Sequence, residues 1–247
     1  HMDYIYVDRQ YDQMMQKRIL RRYYQTRINA IKKRILGWTM RQFVIGIDDG
    51  DLLIINNMNM PFLKAVIENN MQVDLKEDLL SRGWAEFYTG LHAKDSKAFY
   101  DWPMLDDSYR TSQKFNLNVL GQENIKPLWD LLSERNVRVG IMNVPTTTPV
   151  ASVDGFMVSG GGGGQNRLKQ AQTGLCFPEA IIDTLNDNEY IVDIRLTTSG
   201  ISQIQTFFDA FKKMTRNRTR TFIDLCKSYL PDFGFLAFRS IAIIQYL

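Results

Sequence analysis

The chain has 247 residues, of which 45% are hydrophobic and 23% charged, with a net charge of +3; it is too apolar for a disordered protein and long enough for one large domain or two small ones. Its only cysteines, Cys176 and Cys226, exclude a disulfide framework and zinc-finger spacing. No run approaches the roughly 18 to 20 apolar residues of a spanning helix, and the N-terminus lacks a secretory pattern, so a soluble protein of the cytoplasm is expected.

The charge is unevenly spread. Residues 1–43 hold ten Lys/Arg against three acids, a net of +7, which leaves −4 for the other 204 residues. His1-Met2 reads as a cloning remnant, leaving His92 as the one native histidine. Residues 1–41 are read as a basic amphipathic N-terminal segment, and residues 42–247 as an α/β domain. Within the first, Leu20, Tyr24, Ile28, Ile31 and Ile35 recur at three- and four-residue spacing, which predicts a continuous helix over 14–36 stopped by Gly37. Such a helix either packs its apolar stripe and leaves Lys and Arg in water, or serves as a cationic arm for nucleic acid or an anionic surface. Charged helix faces are usually only solvated, which favours the first reading.

From Phe43 the pattern becomes strand-like. Phe43 to Ile47 is a short apolar run that ends in Asp48-Asp49-Gly50-Asp51, as expected of a buried, central parallel strand delivering a carboxylate at its C-terminal end, where ligands bind in open α/β sheets. Asp48 and Asp49 point to opposite faces in such a strand, so only one of them can serve a given site. Helical stretches are expected at 61–69, at 78–88 before Gly90, and at 125–135. Two further strands follow, Val137 to Pro145 and Gly155 to Val158. Gly160 to Gly164 lacks nucleotide-loop spacing and reads as a mobile loop. Helices at 178–185 and 201–229 and a core strand at 233–238 complete the order. The alternation predicts an α/β fold with a largely parallel sheet.

Five of these segments carry a resemblance. Asp48 after Val44-Ile45-Gly46-Ile47, Trp84-Ala85-Glu86-Phe87-Tyr88-Thr89-Gly90, Leu128-Trp129-Asp130-Leu131-Leu132, Val139-Gly140-Ile141-Met142-Asn143-Val144-Pro145 and Val153-Asp154-Gly155-Phe156-Met157-Val158-Ser159-Gly160 resemble, in order, the N-terminal half of the type I phosphodiesterase/nucleotide pyrophosphatase family of the alkaline phosphatase superfamily. The resemblance implies a three-layer αβα sandwich with a mostly parallel sheet, of which this chain is a partial core. It implies a phosphoester or phosphodiester hydrolase, a nucleotide or other phosphate ester as substrate, and two divalent metal ions, zinc foremost. Two such ions activate the nucleophile and clamp the attacking and leaving oxygens.

On this chain the family's first metal-binding Asp falls on Asp48. Its Thr or Ser nucleophile falls on Leu80, one residue from Ser81; a one-residue shift makes Ser81 the nucleophile at a helix N-terminus and Arg82 the group that grips phosphate oxygens. The alternative is that Ser81 begins a helix and Arg82 faces water. The family's Asp-x-x-x-His pair falls on Ala242 and Tyr246, which replace neither ligand, and its later ligands would lie beyond Leu247. His92 is expected on the surface after Gly90. The chain is therefore expected to be incomplete or inactive as a hydrolase, with a noncatalytic scaffold or binding module as the alternative. A partial sheet with an uncovered edge also suggests self-association or a partner chain.

Overall fold

A computed structural model describes residues 42–48, 50–73, 83–99, 102–103, 111–112, 117–160, 174–192, 194 and 204–239. The helix expected over 14–36, Asp49, Ser81, Arg82, Ala242 and Tyr246 lie outside the described residues.

In chain order the elements are β1 (Gln42–Ile47), α1 (Leu52–Asn57), α2 (Pro61–Asn69), α3 (Gly83–Thr89), α4 (Ala93–Ser96), β2 (Trp102–Pro103), β3 (Thr111–Ser112), α5 (Leu117–Gln122), α6 (Leu128–Ser133), β4 (Val139–Val144), β5 (Gly155–Ser159), β6 (Cys176–Phe177), α7 (Ile182–Asp187), α8 (Ile204–Tyr229) and β7 (Phe233–Phe238). The mixed α/β character and the mostly parallel sheet agree with the sequence reading. The sheet runs β1-β7-β4-β5-β6, with β6 alone antiparallel.

The sequence pattern puts β1 at the centre of the sheet, and this needs correction. Among the described residues β1 is an edge strand, with Phe43 and Ile45 39% and 40% exposed. The reason is topological: β7, the last of the described strands, inserts between β1 and β4. No local pattern in β1 records which strand arrives beside it.

Each face of the sheet buries its own cluster. On one, Trp84, Ala85 and Tyr88 of α3 and Trp129 of α6 pack with Val44, Ile141, Phe235 and Ala237. On the other, Phe222, Leu225 and Cys226 of α8 pack with Met142, Phe156, Val158 and Leu236. Alternation along β4 and β7 produces this division, because successive strand side chains point to opposite faces. A fully buried aromatic such as Trp129 or Phe235 contributes roughly 2 to 3 kcal/mol through area removed from water.

Helix α8 carries Arg216, Arg218 and Arg220, but they do not form one basic face. Arg218 is buried and donates to the Val192 carbonyl at 2.7 Å, whereas Arg216 and Arg220 are exposed. The missed elements, α1, α4, α5 and the two-residue strands β2, β3 and β6, are all six residues or shorter. Helices that short are fixed by tertiary packing and caps more than by periodicity. Among the described residues no helix is long and apolar enough to cross a membrane.

Candidate functional site

Sheet register builds the site. Ile47 pairs with Phe238, and the next residue on β1, Asp48, donates its backbone N–H to the Phe238 carbonyl at 2.8 Å. The parallel ends of β1 and β7 thus stay in step past the last paired residues. That register brings Asp48 beside Arg239, whose Nε donates to Asp48 Oδ2 at 3.3 Å.

The other carboxylate oxygen faces α3. Nε1 of Trp84 donates to Asp48 Oδ1 at 2.9 Å. Gly46 permits this: a Cβ at that position would sit 2.4 and 2.5 Å from Cη2 and Cζ3, the outer edge of the Trp84 ring, so only glycine lets that edge approach β1 closely enough for Nε1 to reach Asp48. The ring also packs against Phe235 of β7, at 6.2 Å between centroids and tilted by 39°. Asp48 is therefore fixed by one neutral and one cationic donor, with its side chain 16% exposed and that of Arg239 34% exposed. Charge-assisted hydrogen bonds of this kind are about twice as strong as neutral ones.

Strands β4 and β5 bring polar groups to the same end of the sheet. Asn143 is an extra residue in β4, at φ 59°, where the register with β5 shifts between Met142 and Val144. Its side chain donates to the Ala237 carbonyl at 3.0 Å and accepts from the Tyr190 hydroxyl at 3.2 Å, tying the bulge to β7. Beyond it, Thr147 Oγ1 donates to the Val144 carbonyl at 2.6 Å and accepts from the Gly160 N–H at 3.0 Å. The Thr148 and Ser159 hydroxyls share a hydrogen bond, and Thr146 Oγ1 lies 3.2 Å from the Tyr88 hydroxyl. Gly160 is required here, since a Cβ would meet the Val144 carbonyl oxygen at 2.0 Å. These hydroxyls stand two strands from Asp48, roughly 10 Å across the sheet.

The sequence-predicted residues fare differently. Asp48 stands at the C-terminal end of a parallel strand and shares its surroundings with the start of the helix that contains Trp84. Asp51, its neighbour in the acidic run, instead caps α1, its Oδ1 accepting from the Leu53 N–H at 2.6 Å. His92 is on the surface as expected, 56% exposed, just before α4, with Nδ1 2.5 Å from Glu86 Oε1. Sequence reasoning missed Arg239 and the Asn143–Thr148 segment. The only signals available were an arginine directly after a core strand and a run of three threonines between prolines.

The metal ions implied by the resemblance can be tested against these donors. A zinc or other divalent ion needs carboxylate or imidazole lone pairs directed at it. At Asp48 both oxygens already accept from fixed donors, and one donor is a guanidinium whose charge repels a second cation. Among the described residues no group of three or more His, Cys, Asp or Glu side chains could hold a metal ion. The arrangement at Asp48 thus does not fit a metal ligand. It fits a neutral ion pair that locks the carboxyl ends of two neighbouring strands. Comparison with family models, with curated proteins and with solved structures finds no match.

Proposed function

We propose that this chain is a phosphoester-hydrolase-like α/β protein, similar to type I phosphodiesterases and nucleotide pyrophosphatases, that keeps the scaffold without running the metal-dependent reaction. The observation that carries the reading is the placement of Asp48. It stands at the carboxyl end of a parallel strand, the ligand end of open α/β sheets, and is held there by Trp84 from the first residues of α3. The separate hydrophobic clusters on the two sheet faces support a three-layer αβα arrangement. Ala242 and Tyr246 support the noncatalytic side of the reading, since neither offers the carboxylate or imidazole that a two-metal displacement uses. So does the engagement of both Asp48 oxygens. In this reading the scaffold binds a phosphate ester or nucleotide, and Ser81 and Arg82 are the residues that would meet it.

The test is hydrolysis of an activated aryl phosphodiester with excess zinc or manganese, comparing the chain with Asp48→Ala and Ser81→Ala. No turnover above background is expected from any of the three. Turnover that disappears in both variants would show a complete catalytic site and would end the noncatalytic reading.

A further inference from the structure

The carboxylate that the resemblance assigns to a metal ion is in contact with a cation, and that cation belongs to the chain. We infer that the Arg239 guanidinium stands in the place of the metal at Asp48, making this end of the sheet a metal-independent, internally neutralised site. The inference borrows from the hydrolase-like reading only the place of the cation; the ion pair itself is independent of it.

Three observations lead to it. First, the pair is dictated by backbone register. The Asp48 N–H bonds the Phe238 carbonyl, so the residue after β1 and the residue after β7 must be neighbours. Second, the carboxylate is oriented by a rigid group. The Trp84 indole, with its outer edge against Gly46 and its ring packed beside Phe235, donates to Oδ1 and leaves Oδ2 turned toward Arg239. Third, Asp48 is largely shielded, at 16% exposure. A carboxylate withdrawn from water needs a cation or several donors, and Arg239 supplies the charge that a bound metal would otherwise bring. A guanidinium is permanently charged and is more weakly hydrated than an ammonium, so it suits such a position better than lysine.

The consequence is that Asp48 changes its chemistry without changing its place. A carboxylate on a metal tunes an electrophile, whereas a carboxylate on a guanidinium clamps two strand ends and cancels a charge. Removing metal from the medium then leaves the fold untouched, while removing Arg239 exposes an uncompensated carboxylate.

The test uses the full chain and two measurements. Manganese binding is followed by electron paramagnetic resonance in the wild type, Asp48→Asn and Arg239→Lys. The folding equilibrium in urea is measured for Asp48→Asn, Arg239→Gln and the double variant. The expected results are no manganese binding that depends on Asp48, and a coupling between the two positions of about tenfold in the folding equilibrium. Arg239→Lys keeps the positive charge and is expected to exclude manganese as the wild type does. Manganese bound equally by wild type and Asp48→Asn would lie elsewhere and would also support the inference. One equivalent of manganese on the wild type that is lost in Asp48→Asn would overturn it. So would additive effects of the two substitutions, with no coupling. Should Asp48→Asn fail to fold, Asp48→Ser takes its place: one equivalent of manganese on the wild type that is lost in Asp48→Ser overturns the inference, and binding that is absent or equal in both supports it. These outcomes are separate from phosphodiester hydrolysis, so either reading can fail alone.

Discussion

Two arginine–aspartate pairs sit at opposite ends of the same sheet. At the carboxyl end, Arg239 Nε approaches Asp48 Oδ2 at 3.3 Å, and at the amino end, Arg138 Nε approaches Asp154 Oδ1 at 3.4 Å. The contact distances are nearly equal, and the surroundings are not. Asp48 and Arg239 are 16% and 34% exposed, against 51% and 47% for Asp154 and Arg138. Around Asp48 an indole N–H and a main-chain bond fix the geometry. Around Asp154 both side chains are about half exposed, so water screens the charges, although Arg138 Nη1 also donates to the Tyr229 carbonyl at 3.3 Å. The contact distance therefore says little about what an ion pair contributes. Burial decides it, and it favours the carboxyl end, where the candidate site lies.

The largest effect should come from the indole that orients Asp48. Trp84→Ala removes a side chain only 5% exposed and should lower stability by about 3 to 5 kcal/mol, measured by urea unfolding. Trp84→Phe keeps most of the packing but deletes the N–H that reaches Asp48, so its cost should be smaller. Equal costs would mean that the hydrogen bond contributes nothing and that the contrast between the two pairs rests on burial alone.

Gly46→Ala approaches the same contact from the strand side. Its Cβ would lie 2.4 Å from the Trp84 ring, so the indole must move, at a cost of about 1 to 3 kcal/mol. Tryptophan fluorescence should shift with it. A variant with unchanged stability and emission would show that the ring has room that the present packing does not reveal.

The pairs themselves come next. Asp48→Asn should cost about 1.5 to 3 kcal/mol, the range for hydrogen bonds to charged groups, and the loss should persist in 1 M salt. Asp154→Asn should cost less than about 1 kcal/mol and should lose most of that effect at the same salt. Similar values, or similar salt dependence, would remove the distinction between the two ends of the sheet.

The smallest effect concerns a carboxylate whose surroundings are the reverse of those at Asp48. Burial, and then the neighbouring Glu134, push the Asp130 carboxyl above its ordinary value of 3.8, while Lys126 pulls it down. The folded chain thus holds this proton more tightly than the unfolded chain. The stabilising contribution is complete below 3.8 and is lost as pH rises through the raised value. Asp130→Asn should therefore gain slightly on the wild type between about pH 3 and pH 7 in urea unfolding. A gain in the opposite direction would place a cation closer to Asp130 than Lys126 is.

The elements that sequence alone determined share one property: a period or a boundary that is local. Phe233–Phe238 is an unbroken apolar run, Pro61–Asn69 begins at a proline, and the long α8 has no breaker before Leu230. In these cases apolar spacing and a stop signal specify the element without reference to its neighbours. The same logic put Asp48 at a strand end, because an acidic turn after Val44 to Ile47 has a meaning in any parallel sheet.

What the tertiary structure decided were the relations between segments far apart in the chain. Arg239 lies 191 residues from Asp48, and their meeting depends on β7 inserting between β1 and β4 in one register. A shift of one residue in that register would pair Asp48 with a different residue. Likewise, Gly46 reads in the sequence only as a weak strand residue, and its purpose becomes legible when the edge of the Trp84 ring is seen against it. Asn143, at φ 59° near the end of an apolar strand, takes its conformation from bonds to Ala237 and Tyr190, which no local pattern encodes. Local chemistry thus placed the carboxylate, and long-range register chose the cation that faces it, because strand pairing is set by the packing of the whole sheet and not by any one strand.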